Sequence, residues 1–101
     1  MNAKNWLVYM IRTLDGQLYT GITTDIQRRW RQHKSGKGGA RYFRTQTPDS
    51  LVFLEEHANR SGASKKEALI KTLPKSKKEE LVLVHSEFTA HLLSIYGFNH
   101  E

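Results

Sequence analysis

The chain has no cysteine, only two prolines, and no apolar run long enough to cross a membrane as a helix. Without thiols there can be neither disulfides nor thiolate metal sites, a usage compatible with a reducing cytoplasm. The opening residues, Met1-Asn2-Ala3-Lys4-Asn5, lack the apolar stretch of a secretion signal. A cytoplasmic protein with no membrane partner is therefore expected. Acid is also in short supply. There are 10 Asp and Glu against 16 Lys and Arg, giving a formal charge of +6 and a pI near 9.8. Such a balance suggests a polyanionic partner, most commonly nucleic acid. At 101 residues the chain is long enough for one core and too short for two. We therefore expect a single domain over residues 1–101, with a core at about 5–84 and a tail at 85–101.

The positive charge is unevenly distributed. Between Ile26 and Pro48 lie Arg28, Arg29, Arg31, Lys34, Lys37, Arg41 and Arg44, with no acidic residue among them. Cations with no counter-charge nearby in sequence favour contact with phosphates. A second cluster (Lys65, Lys66, Lys71, Lys75, Lys77, Lys78) is interspersed with Glu67, Glu79 and Glu80 and reads as ordinary solvated surface.

Trp6–Arg12 is rich in aromatic and branched residues and predicts a buried strand. Asp15-Gly16 marks a turn, and Gln17–Ile22 the returning strand. Loop length decides which face each tyrosine occupies, because side chains alternate with period two. A two-residue loop would place Tyr9 and Tyr19 on opposite faces. A three-residue loop, Leu14-Asp15-Gly16 with a left-handed glycine, would put Tyr9, Ile11 and Tyr19 on one. Thr23-Thr24-Asp25 offers a cap for a helix over Ile26–Lys34. At 3.6 residues per turn, Arg29 and His33 share one edge of its buried stripe, with Trp30 nearby, whereas Arg28 and Arg31 turn to solvent. Ser35–Arg44 is a glycine-rich basic loop without the spacing of a nucleotide-binding P-loop. Ser50–His57 predicts a third strand, Asn59–Ala63 a turn, and Lys65–Leu73 a helix capped by Ser64 and interrupted by Pro74. A further short helix is expected at Lys77–Val84, and Leu92, Leu93 and Ile95 allow another in the tail. Expected core residues are Leu7, Ile11, Ile26, Trp30, Val52, Leu54, Leu69 and Leu81.

Two local readings compete at Glu67. Ser64-Lys65-Lys66-Glu67 has the spacing of a capping box, in which the carboxylate folds back on the Ser64 amide. Alternatively, Glu67 is an oxygen ligand for a hard metal ion. Tyr9 and Tyr19, taken alone, would also suit a core.

Taken in order, Val8-Tyr9-Met10, Tyr19-Thr20-Gly21, Arg29, His33 and Glu67 resemble the GIY-YIG nuclease domain, a small metal-dependent fold that hydrolyses DNA phosphodiesters. The resemblance runs from about Trp6 to Lys78. Glu67-Ala68-Leu69-Ile70-Lys71 is similar to the Glu-x-x-Ile-Lys segment of small stand-alone members. It implies an α+β fold, with a small, mostly antiparallel three-stranded sheet flanked by helices. It also implies catalytic roles for Tyr9, Tyr19, Arg29, His33 and Glu67. Glu67 would bind one divalent ion, Mg²⁺ or Mn²⁺, with no small-molecule cofactor. Arg29 would hold the scissile phosphate, the tyrosines would position or activate water, and His33 stands where the family often has tyrosine or histidine. Gly21, Arg28, Lys37, Arg41, Arg44 and Lys71 are the expected nucleic-acid contacts, with DNA as partner and RNA as the alternative. The chain departs from the pattern at Ile22, where the excision-repair incision subunit carries lysine. It also has no clear counterpart of a downstream asparagine, for which Asn99 is a poor candidate. An endonuclease acting on nicked, branched, damaged or single-stranded DNA is therefore the first expectation. A weakly catalytic nucleic-acid-binding module is the second, and a protein that meets an acidic protein partner the third.

Overall fold

The structure is a computed structural model and describes residues 5–98, so Asn99 lies outside the described residues. Strands β1 (Trp6–Thr13) and β2 (Leu18–Thr23) are followed by helix α1 (Ile26–Ser35) and a single 3-10 turn (Arg41–Arg44). Strand β3 (Pro48–His57) and helices α2 (Arg60–Thr72), α3 (Lys75–Val84) and α4 (Ser86–Ile95) complete the chain. The three strands form one antiparallel sheet in the order β2-β1-β3. This is the α+β architecture expected.

The hairpin closes through the three-residue loop. Thr13 N donates to Gln17 O at 2.9 Å, and Gly16 takes a left-handed φ of 89° that favours glycine. Ile11 then pairs with Tyr19 and Tyr9 with Gly21, so both tyrosines share a face. Strand β1, at the centre, is buried on both faces. Leu7, Tyr9 and Ile11 pack with Ile26, Phe43, Leu54, Leu92 and Leu93, while Val8 and Met10 pack with Phe53, Ala63 and Ile70. This double burial accounts for the apolar run in β1, since no position between Leu7 and Ile11 faces water.

Several boundaries differ from expectation. Helix α2 begins at Arg60, because the Asn59 side chain accepts from Gly62 N at 2.9 Å and caps the helix there. The expected turn at Asn59–Ala63 is therefore largely its first turn, and Ser64 lies inside the helix. The capping-box reading of Glu67 falls with it. Leu69 is 57% exposed, since it lies about 100° round the helix from Ile70, which faces the sheet. Trp30, Val52 and Leu81 are only partly buried.

Helix α4 gives the 85–98 segment a structural task. β3 is an edge strand, and its outward backbone groups need partners. Leu54 N donates to Thr89 Oγ1 at 3.2 Å, and His85 Nε2 lies 3.2 Å from Leu54 O. Thr89 itself is buried, as are Leu92 and Leu93. On the other side of the sheet, Arg12 grips Glu79 through paired bonds of 2.7 and 2.8 Å, tying α3 to β1. Thr89→Val keeps the shape but leaves the buried Leu54 N–H without a partner. Urea denaturation should show a loss of about 1–3 kcal/mol. An unchanged midpoint would mean that α4 does not secure the sheet edge.

Candidate active site

The site begins at Gly21. A Cβ there would lie 2.5 Å from Tyr9 Oη and 2.7 Å from Cζ, so only glycine leaves room for the Tyr9 ring over β2. The ring thereby carries its hydroxyl towards the β2 edge of the sheet. Gly21 is buried beneath it, so its place is in packing and not, as expected, on the nucleic-acid surface.

His33, buried on α1, places Nε2 2.8 Å from Tyr9 Oη. Its other nitrogen, Nδ1, accepts from Ala40 N at 3.1 Å. Tyr19 packs edge-on to His33 with ring centres 5.7 Å apart, and the 3-10 turn adds Phe43 against both. Tyr42 stacks on Tyr19 at 5.3 Å. The sequence reading missed Tyr42 and Phe43. Their signal was an aromatic pair in an otherwise polar, glycine-rich loop.

Arg29 lies half-buried one helical turn before His33. Its Nη1 donates to Gln32 Oε1 at 3.0 Å and to Gly38 O at 2.9 Å, so the guanidinium is held from two directions. Its charge is felt at both neighbours. Burial pushes the His33 imidazole down to about 4, and the Arg29 charge adds to that shift. Burial also raises the Tyr9 hydroxyl well above its ordinary value, with Arg29 opposing and the charge of Glu67 reinforcing. Tyr19 raises it too, and the charge of Glu67, from the helix on the opposite face, is the smallest of these influences. Glu67 Oε2 lies 3.1 Å from Lys71 Nζ, which makes Lys71 an ion-pair partner within the protein. Direct contacts bring Tyr9, Tyr19 and His33 together with Arg29 beside them, while Glu67 touches Lys71 and acts on Tyr9 only through its charge.

Beside Arg29 opens a cavity of about 300 Å³ lined by Trp6, Ile22, Thr23, Thr24, Asp25, Arg28, Arg29 and Gln32. Arg28 is exposed as expected, yet it lines the same groove as Arg29 and does not simply face bulk water. Arg41 and Arg44 of the 3-10 turn and Lys37 of the loop are also exposed. Among the described residues, none of these five cations is in an ion pair. Nor do the described residues contain a group of three or more His, Cys, Asp or Glu that could hold a metal. A single, largely covered carboxylate suits only a hard, water-rich ion such as Mg²⁺, which needs few protein ligands.

The His33 environment makes a testable statement about acid. A histidine whose folded pKa is lowered gives stability that is fully present above its unfolded value of 6.5 and lost as pH falls towards about 4. His33→Gln should therefore flatten the stability profile between pH 6.5 and 4, where the parent loses up to roughly 3 kcal/mol. Denaturant titrations at stepped pH measure this directly, and parallel profiles would contradict it.

Comparison with known proteins gives the same picture. Residues 5–80 match the family described as the GIY-YIG catalytic domain. The UPF0213 protein YhbQ of Escherichia coli strain K12 is 48% identical over 89 residues, covering 88% of this chain and 87% of that protein. A UPF0213 protein of Photorhabdus laumondii is 43% identical over 94 residues, covering 93% and 89%. The solution NMR structure of a UPF0213 protein from Bacillus halodurans superimposes with a TM-score of 0.54 at 40% identity, covering 81% of this chain and 86% of that one. A second NMR structure, from E. faecalis, gives 0.56 at 28% identity, covering 99% and 94%. With the matched family spanning most of the chain and relatives 43–48% identical covered along nearly their whole length, the protein belongs to the GIY-YIG family, among its small UPF0213 members.

Proposed function

We propose that the protein is a divalent-metal-dependent endonuclease that hydrolyses phosphodiester bonds in DNA. The observation that carries this reading is the contact of Tyr9 with His33 and Tyr19 next to Arg29, which also lines a groove with Arg28; the charge of Glu67 acting on Tyr9 supports it. A core or a plain binding surface would not need a buried histidine hydrogen-bonded to a buried tyrosine next to a guanidinium. Arg29, fixed by Gln32 and Gly38, binds the scissile phosphate and offsets the negative charge that grows in the transition state. Tyr9 and Tyr19 position the attacking water, and His33 holds the Tyr9 oxygen. A magnesium or manganese ion would be held by Glu67 and would neutralise phosphate charge. Its binding would compete with Lys71 for the carboxylate. Arg28, Lys37, Arg41 and Arg44 carry the flanking phosphates, a role supported by their exposure and by the absence of an ion pair to any of them among the described residues.

A second reading, a module that binds nucleic acid but cleaves it poorly, is favoured by two observations. Lys71 already occupies Glu67, and Ile22 stands where a related nuclease has a lysine. Product formation separates the two.

Incubation with nicked, branched and single-stranded DNA in Mg²⁺ or Mn²⁺ should give cleavage that chelation stops. Glu67→Gln should abolish it while changing stability by less than about 1 kcal/mol, because the residue caps nothing and its ion pair is exposed on the Lys71 side. Arg29→Ala should lower turnover by roughly 100- to 1000-fold. Arg28→Ala should instead weaken binding and reduce the salt slope by about one unit. Full activity in Glu67→Gln would remove the metal role. Binding without product on every substrate would establish the second reading.

A further inference from the structure

The glycine-rich loop reads in sequence as a surface for nucleic acid, but its backbone faces the other way. Gly36 ends α1 in a left-handed conformation, donating its N–H to Gln32 O at 3.0 Å. The chain then folds back along the last turn of the helix. A Cβ on Gly39 would lie 2.6 Å from Gln32 O and 2.9 Å from His33 Cα, so the loop rests directly on the helix backbone, where any side chain would push it off. The residues on either side of Gly39 use that approach. Gly38 O accepts from Arg29 Nη1 at 2.9 Å, and Ala40 N donates to His33 Nδ1 at 3.1 Å.

The second of these bonds has a chemical consequence. A backbone N–H can only donate, so Nδ1 of His33 carries no proton. The ring is neutral and its one proton sits on Nε2, 2.8 Å from Tyr9 Oη. Tyr9 therefore accepts from His33, and its own hydroxyl proton is directed away from the imidazole. With the opposite tautomer, the Ala40 N–H would face another N–H, and Tyr9 would have its proton tied to Nε2.

We propose that the Gly38–Ala40 backbone is a positioning element: it fixes the Nε2–H tautomer of His33, leaves the Tyr9 hydroxyl proton free of the imidazole, and holds Arg29 in place. This rests on the nuclease reading for its catalytic consequence, though the tautomer itself does not depend on it. The same Nε2–H donation would strengthen if Tyr9 gave up its proton, because bonds to a charged acceptor are the stronger ones. No rearrangement of His33 is required.

The test uses ¹⁵N-histidine NMR on the whole protein, with the His33 signals identified by their loss in His33→Gln. The parent should show a protonated Nε2 and an unprotonated Nδ1 at neutral pH. Ala40→Pro deletes the one N–H in question. The residue has φ −63° and ψ 145°, a conformation proline adopts unstrained. In this variant the His33 tautomers should mix and kcat should fall on the order of 10- to 100-fold, as for other groups that orient a catalytic histidine. KM for DNA should stay within about twofold, whereas Lys37→Ala should change KM and leave the His33 spectrum alone. A proton on Nδ1 in the parent would overturn the proposal, and this measurement stands even if Ala40→Pro does not fold. An Ala40→Pro variant with unchanged spectrum and kcat would overturn it too. If the parent shows the Nε2–H tautomer but cleaves no DNA, the positioning contact stands and the nuclease reading fails. If the parent cleaves DNA with the proton on Nδ1, the reverse holds.

Discussion

The space left by the missing side chain of Gly21 is the constraint on which the site depends. Tyr9 belongs to the central strand, buried on both faces, where a hydroxyl needs a hydrogen-bond partner. Glycine on the neighbouring strand lets the ring cross to the sheet edge, where Oη meets His33. The three-residue turn at Leu14–Gly16 is the second half of the same constraint. A loop one residue shorter would reverse the faces of β2 and take both Tyr19 and Gly21 out of reach.

Around that hydroxyl the fold assembles groups from both faces of the sheet. Helix α1 and the loop beyond it supply Arg29, His33 and the carbonyl that steers the guanidinium. Helix α2, on the other face, carries Glu67, whose charge acts on Tyr9. The sheet separates these helices, so the relative placement of the arginine and the carboxylate depends on the rigidity of three strands. Helix α4 contributes at a distance by pairing Leu54 of the β3 edge and closing the core beneath Ile26 and Leu7.

Charge is arranged with the same asymmetry. The lysines of α2 and α3 are largely engaged: Lys66 with Glu55, Lys71 with Glu67, Lys75 with Glu79 and Lys77 with Glu80. Such exposed pairs add little stability, but they neutralise that side of the molecule. From Arg28 to Arg44 no cation is in an ion pair among the described residues, and Arg28 opens into the groove beside Arg29 with Asp25 as the acidic residue of its lining. A polyanion approaching the protein therefore meets uncompensated charge on the α1 side, next to the tyrosines.

Much of this was legible in the residues themselves. The alternation of β1 and β2, the glycine needed at the turn, the Asp25 cap and the four-residue spacing of Arg29 and His33 are local properties of backbone geometry. The order of the tyrosines, arginine, histidine and glutamate was enough to suggest the family. Other features depended on contacts distant in sequence. Asn59 displaced Ser64 as the α2 cap because a residue five places earlier could also bond a free amide, and propensity alone does not rank the two. Leu69 fell outside the core because Ala63 and Ile70 took the inner face of α2. Tyr42 and Phe43 joined the site because the glycine loop folds back onto α1, a path no local pattern encodes. The sequence by itself determined which chemical groups the protein has and the local turns that carry them. Only the tertiary structure decided that Gly39 should touch the helix, that Ala40 should donate to His33, and that the charge of Glu67 should act on Tyr9 from the opposite face, because each needs segments of the chain that come together only when the sheet is covered on both sides.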